Sequence, residues 1–190
     1  MEHNATMQRS AATASPSALA PMNAGSLPWY VVYVKSRHEF IAYDDLQRRG
    51  IVAFLPLVMK CSQWKDRKKR VEFPLFPGYV FVQLPPQGGT QLTVLQARGV
   101  VAFIAFGRGA PAPVEPEEIK SLRLMIESGK EIDLYPDMKT GTRVRIKNGP
   151  LQNAEGIVCK REHEYTFHVN IELLGRSVAV AISAQDLEAA

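Results

Sequence analysis

The chain of 190 residues has little of what builds disulfide, metal or catalytic centres: two cysteines, four histidines and no clustered set of either. Cys61 and Cys159 stand alone, in no zinc-binding pattern, and two cysteines make no disulfide framework. They read as free thiols of a reducing cytoplasm. His38-Glu39 lacks a second histidine one helical turn on, and His163 and His168 fall on opposite faces of a strand. Gly107-Arg108-Gly109 is too short for a dinucleotide fingerprint and has no phosphate-loop lysine. No serine or cysteine sits in a nucleophile context. Asp44, Asp45, Glu117 and Glu118 lie on predicted helices, where solvated faces are the default. The expectation is a protein that is no enzyme and carries no cofactor or metal. No apolar run approaches the roughly 18 residues that span a bilayer, so no membrane partner is expected.

Charge is present but not lopsided. Lys and Arg number 23 against 19 Asp and Glu, a net +4, which permits a nucleic-acid partner without requiring one. A 46% hydrophobic and 22% charged composition is that of a soluble globular protein, long enough for one medium domain or two small ones. Residues 1–27 are rich in Ala, Ser, Thr, Asn and Pro and lack the apolar core of a secretory signal; a disordered tail is expected there.

The most informative stretch is Phe73-Pro74-Leu75-Phe76-Pro77-Gly78-Tyr79-Val80-Phe81-Val82. Its prolines cannot donate to a β-ladder, and Gly78 accepts backbone conformations other residues resist. A kinked strand entrance presenting Phe76 and Tyr79 follows, a surface suited to docking another protein. Before it, Trp29–Val34 reads as a central strand. Ser36 and Glu39 have capping-box spacing, so a helix should start there, with Phe40, Tyr43 and Leu46 on one face and Gly50 just past its end. Val52–Val58 is a second strand, Thr90–Ala97 a short helix, and Val100–Phe106 a strand. Pro116 opens a helix carrying Ile119, Leu122 and Ile126, closed by Gly129. The fold class is α+β: an antiparallel sheet with flanking helices over 28–129. Lys130–Lys139, with Pro136, reads as a flexible linker. Over 140–190 only short strands occur (Arg143–Lys147, Gly156–Lys160, Thr166–Leu173 and Ser177–Ile182), which suggests a small all-β barrel.

One basic run stands out. Lys65, Arg67, Lys68, Lys69 and Arg70 surround a single Asp66 between two strands. A solvated hairpin tip and a phosphate contact are both open readings, and Trp64 beside it either stacks on a base or packs on the sheet.

Phe76-Pro77-Gly78-Tyr79, preceded by Trp29–Val34 and followed by Lys147-Asn148-Gly149-Pro150-Leu151 and Gly156-Ile157-Val158, resembles the NusG family of transcription elongation factors. The motifs come in the family's order from Trp29 to Glu188, which is more specific than any one of them. The resemblance implies an N-terminal domain that binds the RNA polymerase clamp helices and suppresses pausing and termination. It also implies a C-terminal SH3-like KOW barrel that recruits a small-subunit ribosomal protein or the termination factor Rho. Carried over, the polymerase patch is Tyr33, Phe76, Pro77, Gly78, Tyr79, Phe81 and Phe103, with plain core as a rival role for Phe81 and Phe103. Lys35, Arg48, Arg49 and Arg98 match positions that face non-template DNA in the transcription bubble. Asn148, Gly149, Pro150, Leu151 and Gly156 fall on the barrel's partner-binding turn. A monomer in the cytoplasm is implied.

Pro74–Val82 and Arg98-Gly99-Val100 are similar to specialised paralogues of the RfaH type, which antiterminate at selected operons, whereas Ile171–Arg176 is similar to general NusG. The specialised paralogue is favoured and general NusG is the alternative. Where RfaH carries His-Thr-Thr at its gate-loop contact, this chain has Gly89-Thr90-Gln91. In RfaH the C-terminal domain also refolds into a helical hairpin. Here the β-branched residues from Val144 to Ile182, with Gly149-Pro150, Gly156 and Gly175, favour strands and oppose helix. From another class, a KOW-containing, RNA-binding ribosomal module would need exposed aromatics interleaved with basic residues on a sheet, and these strands read apolar instead.

Overall fold

The computed structural model describes residues 27–64, 67–85, 89–106, 109–136, 141–161 and 164–189. The first strand, β1 (Trp29–Val34), is followed by α1 (Glu39–Arg48), β2 (Val52–Phe54) and a long hairpin of β3 (Leu57–Trp64) with β4 (Arg67–Pro74). Then come β5 (Tyr79–Gln83), α2 (Thr90–Leu95), β6 (Val100–Phe103), β7 (Pro113–Val114) and α3 (Pro116–Glu127). The antiparallel sheet runs β2-β5-β1-β6, with β7 also pairing β1. The β3–β4 hairpin forms a two-stranded sheet of its own.

Strand β1 reads as apolar throughout because both its faces are buried. Successive side chains point to opposite faces. Tyr30, Val32 and Val34 join Ala42, Tyr43 and Leu46 of α1 and Val94 of α2. Trp29 and Val31 join Phe54, Phe81 and Val114 beneath Ile119, Leu122 and Met125 of α3. Arg123 of α3 lies over this second face, its guanidinium 5.0 Å from the Trp29 ring centroid and 4.9 Å from that of Phe54. Burial draws its pKa below the usual arginine value, and Glu127 opposes that shift.

Helix α1 begins at Glu39, later than the capping box implied. His38 is the N-cap residue and makes no side-chain cap bond, and Glu39 faces elsewhere. Phe40, placed on the buried face from sequence, is 40% exposed, and Ala42 takes that place. The buried stripe runs through residues 39, 42, 43 and 46, the i, i+3, i+4, i+7 spacing of one helix face. Gly50, at φ +74°, closes the helix as its position suggested. Helix α3 starts at Pro116 as expected, but Met125 rather than Ile126 joins Ile119 and Leu122 as its third fully buried apolar residue.

The C-terminal part is all-β: β8 (Asp133–Pro136), β9 (Thr142–Ile146), β10 (Glu155–Arg161), β11 (Glu164–Ile171), β12 (Arg176–Ile182) and β13 (Leu187–Ala189). They form one antiparallel sheet in the order β13-β9-β10-β11-β12-β8. Its interior holds Val144, Ile146, Leu151, Phe167, Val169, Ile171, Val178 and Val180, all buried. The segment is stranded, in keeping with its β-branched residues.

Two features depart from a free barrel on a linker. Strand β8 lies inside the segment read as linker and pairs with the edge of β12, with Tyr135 5.4 Å from the buried His168 ring. A four-residue strand ending at Pro136 has too little pattern to be seen in sequence. Helix α3 also touches the C-terminal sheet. The backbone N–H of Glu155 donates to the buried Ser121 Oγ at 2.9 Å, and that of Glu172 to Glu118 Oε1 at 3.3 Å. Residues 137–140, in the rest of the expected linker, lie outside the described residues.

Candidate functional site

The Phe76–Tyr79 turn forms the kink that its prolines and glycine implied. Gly78 has φ +86°, and its carbonyl accepts the Val34 N–H at 2.8 Å. Tyr79 enters β5 opposite Tyr33, the last register pair between β5 and β1, and the two rings lie 5.9 Å apart. Tyr33 is 43% exposed and Tyr79 is half-buried, so this pair forms an aromatic surface at the end of the sheet. Exposed Pro77 lies at the same turn.

Phe76 and Phe81, placed in the patch from sequence, are core residues here, at 3% and 0% exposure. Phe76 packs edge-on against Phe81, whose alternation in β5 points it beneath α3. They support the surface from below rather than forming it. Phe103 is half-buried, its ring 6.3 Å from that of Tyr30 in the other core, on the opposite face of β1 from Tyr33. The structure therefore brings together Tyr33, Pro77, Gly78 and Tyr79, and not Phe103.

The basic residues Lys35, Arg48, Arg49 and Arg98 are all exposed. Three of them are tied together at the α2–β6 turn, which carries Arg98 and is reached by Lys35 from the β1–α1 turn and by Arg49 from the C-terminal end of α1. The Lys35 N–H donates to the Gly99 carbonyl at 2.8 Å. Arg49 donates to Asp45 at 2.8 Å and to the Gln96 carbonyl at 3.1 Å, while the Arg98 N–H donates to Asp45 at 2.9 Å. The Arg98 N–H first, then Arg49, hold the Asp45 carboxyl below its usual pKa. The approach is close: a Cβ at Gly99, φ +85°, would stand 2.8 Å from that of His38. Arg48 is on the last turn of α1. Sequence reasoning gave Asp45 a solvated role and omitted exposed Arg37, whose φ of +61° marks the same tight turn.

Lys65 lies outside the described residues. Arg67, Lys68, Lys69 and Arg70 are in β4, opposite Trp64, Gln63, Ser62 and Cys61, and Arg70 is exposed.

On the C-terminal sheet, Asn148, Gly149 and Pro150 form an exposed turn in which Gln152 N–H donates to the Gly149 carbonyl at 3.1 Å. Leu151 was expected to be free for a partner, but it is 2% exposed and part of the apolar cluster. Gly156 has a packing role: a Cβ there would meet the Phe167 ring at 2.9 Å and collide with the His168 carbonyl.

A fold of helices on an antiparallel sheet, followed by an all-β domain and led by this Pro-Gly-Tyr turn, is that of a transcription factor of the NusG type. The family model described as "Transcription termination factor nusG" matches residues 27–123, and the chain belongs to that family. It is 29% identical over 181 residues to the transcription termination/antitermination protein NusG of Borreliella burgdorferi, covering 86% of this chain and 98% of that relative. It is also 29% identical over 177 residues to the protein of the same name from Staphylococcus carnosus, with 86% and 96% covered. A solved structure of Thermotoga maritima NusG covers 85% of this chain and 96% of its own, at 24% identity and a TM-score of 0.46.

Proposed function

We propose that the protein binds the clamp helices of RNA polymerase through the Tyr33–Tyr79 surface and suppresses pausing and termination. The observation that supports this most is an aromatic pair fixed at a Pro-Gly kink with Tyr33 43% exposed. Buried Phe76 and Phe81 hold that surface from beneath. Aromatic anchors at the centre of an interface carry a large share of its binding energy. In this reading Lys35, Arg48, Arg49 and Arg98 run beside the non-template strand, with affinity that falls as salt rises. Residues 28–129 form the polymerase-binding domain and 140–190 the recruiting domain. The exposed Asn148–Pro150 turn offers that second domain's contact to a small-subunit ribosomal protein or to Rho.

Binding to purified core polymerase without RNA tests the reading, since an RNA-binding ribosomal module would not bind. Charge reversal at Lys35, Arg48, Arg49 and Arg98 together should abolish crosslinking to bubble DNA. A specialised paralogue, acting in the cytoplasm on selected operons, is favoured by the RfaH-like Pro74–Val82 and Arg98–Val100 sequences. Deleting the gene and sequencing total RNA separates the two roles: a few transcripts change for a specialised factor, most of them for a general one.

A further inference from the structure

We infer that Glu39 is a positioning residue for the aromatic surface, acting through the Gly78 peptide. Glu39 is 7% exposed, an unusual place for a carboxylate on a helix that has ample solvent-facing positions. Its Oε1 accepts the backbone N–H of Gly78 at 2.8 Å, across 39 positions of sequence. As the first residue of α1 it lies at the positive end of the helix dipole, which favours a buried negative charge there. The Gly78 residue is thereby pinned on both sides: its N–H by α1, its carbonyl by the Val34 N–H of β1 at 2.8 Å.

That pinning reaches both rings of the surface. A Cβ on Gly78 would stand 3.3 Å from Tyr33 Cε2, so the Tyr33 ring lies directly over this glycine. Tyr79 follows it in the chain and pairs with Tyr33 in register. A shift of the Gly78 peptide moves the floor under one ring and the backbone of the other. The Ser36–Glu39 spacing looks like a local capping box, yet the carboxylate serves a turn distant in sequence.

The inference rests on the polymerase-binding reading for its consequence but not for its geometry, so the two are measured separately. Three variants of the full chain serve: Glu39→Gln, Glu39→Ala and Glu39→Asp. Glutamine keeps an acceptor at the same reach; aspartate keeps the charge in the first turn but withdraws it by one methylene. The first readout is the Gly78 amide by NMR, its hydrogen-exchange protection and its contacts with the Tyr33 ring. The second is affinity for core polymerase, with Tyr79→Ala in parallel.

Glu39→Gln is expected to keep amide protection and affinity. Glu39→Ala and Glu39→Asp are expected to lose the protection and to weaken binding about tenfold, the effect of one lost buried hydrogen bond. Should Glu39→Ala fail to fold, Glu39→Asp against Glu39→Gln carries the test. Unchanged Gly78 protection in the alanine or aspartate variant overturns the inference, as does loss of affinity in the glutamine variant equal to theirs. If Tyr79→Ala binds as wild type does, the polymerase reading falls, and the Gly78 amide still decides the role of Glu39.

Discussion

The two sheets of this protein are covered to different extents. In the N-terminal sheet, β1 is covered on both faces, by α1 and α2 on one side and α3 on the other, so nearly every residue of it is buried. In the C-terminal sheet, β9 alternates, with Val144 and Ile146 inward and its other residues exposed, whereas β12 buries Ser177, Val178, Ala179 and Val180 in a row where β8 and β11 flank it. A doubly covered sheet leaves only its ends and edges for recognition, and there the Tyr33–Tyr79 pair and the Lys35–Arg98 cluster are found. The C-terminal sheet leaves the outward side of β9 and its turns open, and α3 reaches its backbone at Glu155, where β10 begins, and at Glu172, just past β11.

Core substitutions break the comparison most strongly. Phe81→Ala should cost about 3–5 kcal/mol and remove the N-terminal amide signals, while Phe167→Ala should cost as much and remove those of residues 142–182 instead. Two-dimensional NMR during denaturant titration checks which set is lost first. Coincident loss in both variants would mean that α3 welds the two sheets into one cooperative unit. Gly156→Ala is next, at about 1–3 kcal/mol, because the added Cβ meets the Phe167 ring and the His168 carbonyl. Its effect should be confined to the C-terminal amides.

Ser121→Val probes the junction itself. It removes the acceptor of the Glu155 N–H and should cost about 1–3 kcal/mol, seen as faster exchange at Glu155 with the aromatic surface unchanged. The smallest effect is electrostatic. The Asp45 carboxyl has its pKa lowered in the folded protein by the Arg98 N–H and Arg49. Its stabilising contribution is therefore present above the unfolded carboxylate pKa and lost as pH falls through the lower folded value. Asp45→Asn should flatten that acid limb of the melting curve, and an unchanged limb would remove Asp45 as its source.

Much of this was legible in the sequence where one local signal decides. The Pro-Gly kink, β1, Gly50 after α1 and Pro116 at the start of α3 all have the positions their residues imply. What sequence could not supply was the direction of side chains. Phe81 lies on the same face of β5 as Tyr79 but two residues further in, where α3 covers it, and Phe76 is buried by packing edge-on against it. Glu39 has the spacing of a cap, yet its partner is 39 residues away. Leu151 follows an exposed turn and closes a core. Strand β8 exists because β12 has a free edge, a fact of tertiary structure rather than of residues 133–136.

The Tyr33–Tyr79 pair is the surface proposed to meet polymerase. Titration of Tyr79→Ala into purified core polymerase, beside wild type and with folding verified by NMR, measures this directly. The predicted result is a folded variant whose affinity falls by about 2 kcal/mol, roughly thirtyfold. A folded Tyr79→Ala protein that binds as tightly as wild type would contradict it.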